Sequence, residues 1–155
     1  MLGIVGLGRA CEIVLASLVE EGDRLELLRS RLFNRIASQL DRCVMNGCGR
    51  ERLPGHLSLS FSGVSGTELI SNLREVALSS GAVCSSDTPV PSHVLSAMGR
   101  SDTEAQSTLR FGLGRFSSRS EVDYVAGRVI DLVERLRVGE RNNDANEYTE
   151  KTVAI

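Results

Sequence analysis

The sequence of 155 residues is poor in lysine and in aromatic residues. It has no tryptophan, and of its 18 basic residues only Lys151 is a lysine. The net charge is −2, and the arginines form no basic block. Because nucleic-acid-binding surfaces need a basic patch and commonly stack bases on aromatic side chains, we expect no nucleic-acid partner.

Membrane-spanning and targeting patterns are also missing. We find no apolar run of the ~18 residues that a membrane-spanning helix needs. The N-terminal stretch has no basic leader and is interrupted by Gly3, Gly6 and Gly8, which is atypical of a signal peptide. We therefore expect no membrane segment, a cytoplasmic location and reduced thiols.

Metal-ligand spacing is absent from the four cysteines and two histidines. Cys43 and Cys48 form one spaced pair, but no second pair follows, and neither His56 nor His93 stands at ligand spacing from them. We expect no metal site. The glycines of residues 3–8 do not have dinucleotide-binding spacing and follow no predicted strand, so we expect them to mark close packing at a helix start.

What the sequence does contain is helical and strand periodicity. Apolar residues at spacings of three and four predict helices over residues 12–40, with Gly22 separating a first helix from a second. Capping patterns at Ser65 and Ser118 predict two more helices, and a short one is predicted from Pro91 to Met98 with Gly99 as its stop.

Alternation of apolar and polar residues predicts strands at residues 57–61 and 109–113, and a short strand or turn at 43–49. Residues 79–91 read as a loop, and residues 139–155 lose periodicity and are predicted to be a mobile polar tail. One domain results: a small α/β sandwich with helices packed on one face of the sheet.

Two residues stand out as candidates for chemistry. Cys84 lies among small polar residues in the predicted loop, which indicates a reachable thiol, although an inert loop cysteine is the common alternative. Arg110 lies on the predicted strand 109–113 with Gly112 and Gly114 on its own face, which leaves room for an anion. A structural ion pair is the alternative for Arg110.

Five segments together resemble one family: residues 3–10, residues 53–54 with 57–61, residues 79–86, residues 91–92 with 94–95, and residues 109–116. They look like the C-terminal part of a cysteine desulfurase of the group that supplies sulfur for iron–sulfur clusters. The resemblance extends over residues 3–137. It implies the fold of class V aminotransferases, a mostly antiparallel sheet as in the C-terminal domain of fold-type I pyridoxal-phosphate enzymes, and a family-type homodimer.

The resemblance also implies residue roles. Cys84 corresponds to the mobile-loop cysteine that takes sulfur from L-cysteine as a persulfide, leaving alanine, and Arg110 to the arginine that holds the substrate carboxylate. The family's large domain, with its cofactor lysine, has no counterpart here, and Lys151 lies in the predicted tail. The resemblance therefore implies three parts: residues 1–21, a helix leading out of a missing large domain; residues 22–138, the small domain; and residues 139–155, the tail.

We expect the chain alone to bind no pyridoxal phosphate and to be inactive without a lysine-bearing large domain or a full-length relative. The tail does not resemble the family segment that docks the cluster scaffold protein, so the sulfur acceptor stays open. Two alternatives also stay open: a non-catalytic sulfur-relay or dimerisation module, and an inactive gene remnant.

Overall fold

The computed structural model describes residues 1–80, 82–83 and 90–152 and holds five helices and six strands in those residues. In chain order these elements are α1 (Leu2–Gln39), β1 (Cys43–Met45), β2 (His56–Phe61), α2 (Gly66–Asn72), β3 (Ser79–Ser80), β4 (Ala82–Val83), β5 (Val90–Pro91), α3 (His93–Ala97), α4 (Asp102–Gln106), β6 (Thr108–Gly112) and α5 (Arg119–Thr152).

A four-stranded sheet of order β1-β2-β6-β3, antiparallel at every pairing, forms the centre of the fold. Alternation along β2 and β6 directs one set of side chains to a buried apolar face, as a period of two requires. Helices α1 and α5 pack against that face. The core they share includes Leu28, Leu32, Ile36, Leu57, Leu59, Phe61, Leu109, Phe111, Val122, Ala126, Val129 and Val133. The predicted α/β architecture is confirmed.

The two long helices are also joined by charge. Arg31 donates to both carboxylate oxygens of Asp123, at 2.6 and 2.8 Å, and Arg35 adds an ion pair at 2.9 Å. These hydrogen bonds, with Arg31 contributing most, lower the pKa of Asp123 to about 2. Asp123 therefore stays ionised at neutral pH and fixes the start of α5 against α1.

The opposite face of the sheet is polar and partly buried. Asn46 donates to the hydroxyls of Ser58 and Ser60 at 3.2 and 2.9 Å, and the Ser60 and Thr108 hydroxyls lie 2.7 Å apart. Thr108 in turn donates to the Glu104 carbonyl at 2.7 Å. This network pairs the three hydroxyls and the Asn46 amide N–H beneath α4, whereas Asn46 Oδ1 has no partner among the described residues.

Helix α1 differs from the prediction in two ways. It runs unbroken through Gly22, because one interior glycine costs only about 0.5–1 kcal/mol and the packed C-terminal half of the helix outweighs that. The expected close packing at residues 3–8 is wrong: no described atom lies within 4 Å of where a Cβ would stand at Gly3, Gly6 or Gly8.

The N-terminal half of α1 is an exposed apolar surface, which we define by Leu2, Ile4, Val5, Leu7, Val14, Leu15, Leu18 and Val19. Leu2 is 91% exposed and Val19 is 77% exposed. By length and composition alone α1 could cross a membrane, so the expectation that no segment qualifies is corrected on that point. Helices covered by another domain have the same composition.

Helix boundaries elsewhere follow their caps. Ser118 and Glu121 form the predicted reciprocal box, with Ser118 N–H donating to the carboxylate at 2.7 Å. The helix predicted to open at Pro91 instead begins at His93, because Pro91 pairs within β5. The backbone of α5 continues as helix to Thr152, so loss of apolar periodicity did not end it. Mobility of the tail stays a prediction.

Candidate functional site

Arg110 points away from the core on strand β6. Its neighbours Leu109 and Phe111 are buried, whereas Arg110 is exposed, as the alternation predicts. Its Nε donates to Ser79 Oγ at 3.0 Å. Among residues 1–79 and 91–139, whose side chains the structure describes, no carboxylate pairs with it. The structural ion pair, the alternative for this residue, is therefore not found there.

Among the described residues, open space lies beside the guanidinium. In the β2–β6 register Ser58 stands opposite Arg110 and His56 opposite Gly112. A Cβ at Gly112 would meet nothing within 4 Å in the described structure. The strand neighbours of the Arg110 guanidinium are therefore small or hydrogen-bonding residues. We call this surface, made by His56, Ser58, Ser79, Arg110 and Gly112, the Arg110 face.

His56 adds a neutral imidazole to the Arg110 face. Burial lowers the pKa of His56, and the positive charges of Arg52 and then Arg110 lower it further. Arg52 is itself held by backbone carbonyls, with Nε donating to the Cys48 carbonyl at 2.7 Å and Nη2 to that of Asn46 at 2.9 Å. The face is electropositive, and an anion bound there would be favoured by both arginines.

Cys84 lies outside the described residues, so its predicted role stays a prediction. The strands around it are described. β3 pairs with β6 so that Ser79 stands opposite Arg110, and β4 pairs with β5 through Val83 and Val90. The segment that contains Cys84 therefore starts from the strand beside Arg110.

The other cysteines differ in exposure and acidity. Cys11 and Cys48 are exposed, and Cys43 is half-buried. Burial raises the pKa of the Cys43 thiol to about 11. Hydrogen bonds from the Glu51 and Arg50 backbone lower the pKa of the Cys48 thiol, with the charge of Arg52 a smaller cause. In the part of the chain that the structure describes, no group of three or more metal-ligating residues is found.

The loop after β6 is held by an arginine that sequence reasoning missed. Arg24 donates to the backbone carbonyls of Gly114, Arg115 and Ser117 at 3.3, 2.7 and 2.8 Å. Arg115 pairs with Glu21 at 2.7 Å. A groove of about 480 Å³ lies beside this loop and is lined in part by Val76, Leu78, Phe111, Leu113, Phe116 and Tyr124. Arg24 binds backbone carbonyl oxygens, and the spacing of side chains along the sequence does not indicate where those oxygens lie.

The residues of the chain do not by themselves fit pyridoxal phosphate. That cofactor is held covalently by a lysine in a fixed, desolvated position. The only lysine here is Lys151, near the end of α5, and no lysine lies on the Arg110 face.

A family model described as Aminotransferase class-V matches residues 1–125. The cysteine desulfurase of Mus musculus is 43% identical over 134 residues, which cover 86% of this chain and 29% of the mouse protein. The cysteine desulfurase IscS of Anaeromyxobacter sp. (strain Fw109-5) is 43% identical over 135 residues, which cover 87% of this chain and 33% of that protein. The chain thus spans about a third of the length of the curated relatives it matches.

Solved structures agree with the sequence similarity. A NifS-like protein with 29% identity has a TM-score of 0.72 over 85% of this chain and 33% of its own. Another NifS-like protein, from Rickettsia africae ESF-5, has a TM-score of 0.74 over 86% of this chain and 34% of its own at 18% identity, which supports the fold alone. The similarity to class-V aminotransferases and cysteine desulfurases that the sequence motifs indicated is confirmed.

Proposed function

Because the chain belongs to the aminotransferase class-V family, we propose that it is the C-terminal portion of a cysteine desulfurase. In this portion Arg110 binds the carboxylate of L-cysteine and Cys84 accepts the sulfur. One observation carries the assignment: an exposed Arg110 guanidinium with no carboxylate partner among the described side chains, in a chain 43% identical to named cysteine desulfurases.

The proposed reaction exchanges one bond for another. Sγ of Cys84 bonds to the substrate sulfur while the carbon–sulfur bond of L-cysteine breaks. The electron pair of that bond stays on carbon, which takes up a proton and leaves as L-alanine. The carbon is reduced and the sulfur oxidised, so no outside oxidant is needed. Pyridoxal phosphate, held by a lysine-bearing large domain, would make that carbon able to accept the electron pair.

Arg110 suits the carboxylate role on chemical grounds. A guanidinium binds a carboxylate through two parallel N–H···O bonds, which fix the orientation of the ligand as well as its position. Ser58 and Gly112 beside it are small and carry no competing charge. L-cysteine held there by its carboxylate would have its reactive sulfur free to point elsewhere.

Cys84 is proposed to come to the substrate from the same edge of the sheet. Ser80 is the last residue of β3 and stands opposite Leu109, the neighbour of Arg110. Four residues of chain reach at most about 14 Å when fully extended. The covalent length between Ser80 and Cys84 therefore allows a thiol to approach a ligand on the Arg110 face.

The exposed apolar surface of α1 supports a missing partner domain. Large apolar side chains on one helix half are rarely left in water by a soluble monomer, because each buried apolar side chain gains about 1.5–3 kcal/mol. We propose that the large domain covers this surface and supplies the lysine, in the same chain or a separate one. The chain alone is then inactive.

The cellular setting follows from this proposal. We place the protein in the cytoplasm, supplying sulfur for iron–sulfur clusters through a protein acceptor, with a family-type homodimer as its assembly. The exposed surface of α1 also fits the second candidate, a non-catalytic module that dimerises or relays sulfur. The third candidate is an inactive gene remnant, and the experiment below distinguishes these three candidates.

The test combines the chain with the lysine-bearing large domain of a similar cysteine desulfurase, pyridoxal phosphate and L-cysteine. We expect alanine to form and one sulfur atom to be added to this chain at Cys84, both measured by mass spectrometry. Cys84→Ser should abolish the added sulfur, and Cys48→Ser should retain it. Sulfur found on Cys48 instead would contradict the assignment of Cys84.

The Arg110 role has its own control. Arg110→Gln should raise KM for L-cysteine about 30- to 100-fold, as expected for loss of a charge-assisted bidentate contact. Arg119→Gln removes an exposed arginine at the start of α5 and should leave KM unchanged. Alanine formation by the chain without a large domain would refute the divided site. Sulfur uptake from a persulfide donor without any alanine would favour the relay module, and neither activity would favour the remnant.

A further inference from the structure

Ser79 is the described side chain that is hydrogen-bonded to Arg110. Its Oγ accepts from Nε at 3.0 Å, and the two residues are register partners across β3 and β6. We propose that Ser79 is a positioning residue that holds the Arg110 guanidinium so that its two terminal nitrogens bind the substrate carboxylate. The inference rests on the carboxylate-binding role proposed for Arg110.

The hydrogen bond selects one of two binding geometries. A guanidinium has five N–H groups and can bind a carboxylate side-on, through Nε and one terminal nitrogen, or end-on, through both terminal nitrogens. With the Nε hydrogen donated to Ser79, only the end-on pair remains. Ser79 therefore defines the direction from which the carboxylate approaches.

The surroundings of Arg110 leave this role to Ser79. On the other side of Arg110 lies strand β2, in which Ser58 stands opposite Arg110 and His56 lies diagonally from it. Neither side chain is hydrogen-bonded to Arg110 in the described structure. An exposed arginine side chain has much rotamer freedom to lose on binding. Holding Nε before the ligand arrives reduces that loss and so strengthens binding.

Ser79 also connects the clamp to the cysteine segment. Strand β3 is two residues long, and its pairs with β6 are Ser79 with Arg110 and Ser80 with Leu109. The side-chain hydrogen bond adds a third link at the place from which the chain continues toward Cys84. The same serine thus fixes the carboxylate clamp and the start of the segment proposed to carry the sulfur.

The first test uses the chain combined with the lysine-bearing large domain, labels only this chain with ¹⁵N at arginine side chains, and titrates L-alanine and L-cysteine. In the wild type the Arg110 Nε–H signal should be slow to exchange and should change little on binding, while the terminal N–H signals shift. In Ser79→Ala the Nε–H signal should exchange rapidly. A ligand that shifts Nε–H more than the terminal groups would overturn the end-on geometry.

The second test measures KM and kcat in the complemented enzyme. Ser79→Ala should raise KM about five- to tenfold with kcat little changed, a loss similar to the net contribution of one ordinary hydrogen bond, because Ser79 acts on the ligand only through Arg110. Ser79→Thr should restore the hydroxyl and most of the affinity. Ser38→Ala, which removes an exposed hydroxyl that bonds the Arg35 carbonyl on α1, should change neither constant.

The outcomes separate the two levels of the argument. If Arg110→Gln leaves KM unchanged, the proposed function of Arg110 fails. If Arg110→Gln raises KM but Ser79→Ala does not, only the positioning role of Ser79 fails. A Ser79→Ala effect confined to kcat, or one that Ser79→Thr does not rescue, would also overturn that role.

Discussion

Replacing Arg137 with methionine should destabilise the domain more than any change at the Arg110 face. Arg137 lies on α5 with its side chain 6% exposed. It donates to the Asp41 carbonyl and carboxylate at 3.0 and 2.7 Å, and to the Ser62 carbonyl at 2.9 Å. A further bond reaches the Arg42 carbonyl at 3.3 Å. One guanidinium thus joins α5 to the segment before β1 and the segment after β2.

The magnitude follows from what methionine leaves behind. Hydrogen bonds to a charged group contribute about 1.5–3 kcal/mol each, and an unpaired buried acceptor costs about 1–3 kcal/mol. Water can reach part of this site, because Asp41 is exposed, so the sum is reduced. We expect Arg137→Met to lower the free energy of unfolding by about 3 kcal/mol, which corresponds to about 6–12 °C in Tm.

The assay is denaturant unfolding of the full chain followed by circular dichroism, with thermal unfolding as a check. Arg135→Met is the matched control, because Arg135 is exposed two residues earlier on the same helix. It should change the free energy by less than about 0.5 kcal/mol. Equal effects of the two substitutions would refute the argument that the carbonyl contacts of Arg137 carry the stability.

Four further outcomes follow from the described contacts. Arg110→Gln should raise the pKa of His56, since it removes one of the charges that lower it, and ¹H NMR titration should detect the rise. Because folding lowers that pKa, the contribution of neutral His56 to stability should begin to fall below its ordinary value of 6.5 and be lost once the pH has fallen through the lowered pKa. Cys48 should react with a thiol reagent well before Cys43, whose thiol is half-buried with a pKa raised to about 11; equal rates would contradict this. Gly66→Ala should destabilise by about 1–3 kcal/mol, since its Cβ would meet the backbone carbonyl of the last residue of α4; unchanged unfolding would contradict it.

The strand that carries Arg110 was predictable because its signal is local. Leu109 and Phe111 need burial, and a period of two then directs Arg110 and Gly112 to the other face. Glycine on that face predicted open space, and no described side chain fills the position beside Gly112. Ser79 was not predicted as a partner of Arg110, because their contact depends on strand pairing between residues far apart in sequence.

Three features could not be predicted from the sequence, each for a different physical reason. Gly22 predicted a break in α1, but the cost of one glycine is small against the packing of Leu32 and Ile36. The backbone of α5 continues beyond its apolar stripe, since helical hydrogen bonds do not require a buried face. Arg24 and Arg137 bind carbonyl oxygens, whose positions depend on how distant loops return to the helices.

The exposed half of α1 and the exposed Arg110 belong to one boundary of the domain. All buried residues of α1 lie at or after Leu28, so its earlier half extends away from the core. Arg115, five residues after Arg110, pairs with Glu21 at 2.7 Å and donates to Ser17 at 2.9 Å, where that exposed half ends. The loop after the Arg110 strand is therefore fixed to the base of the exposed apolar surface. A domain that covers α1 up to Val19 must also meet this loop. If the large domain covers α1 as proposed, burial of the apolar surface and completion of the proposed carboxylate site would occur in the same docking event.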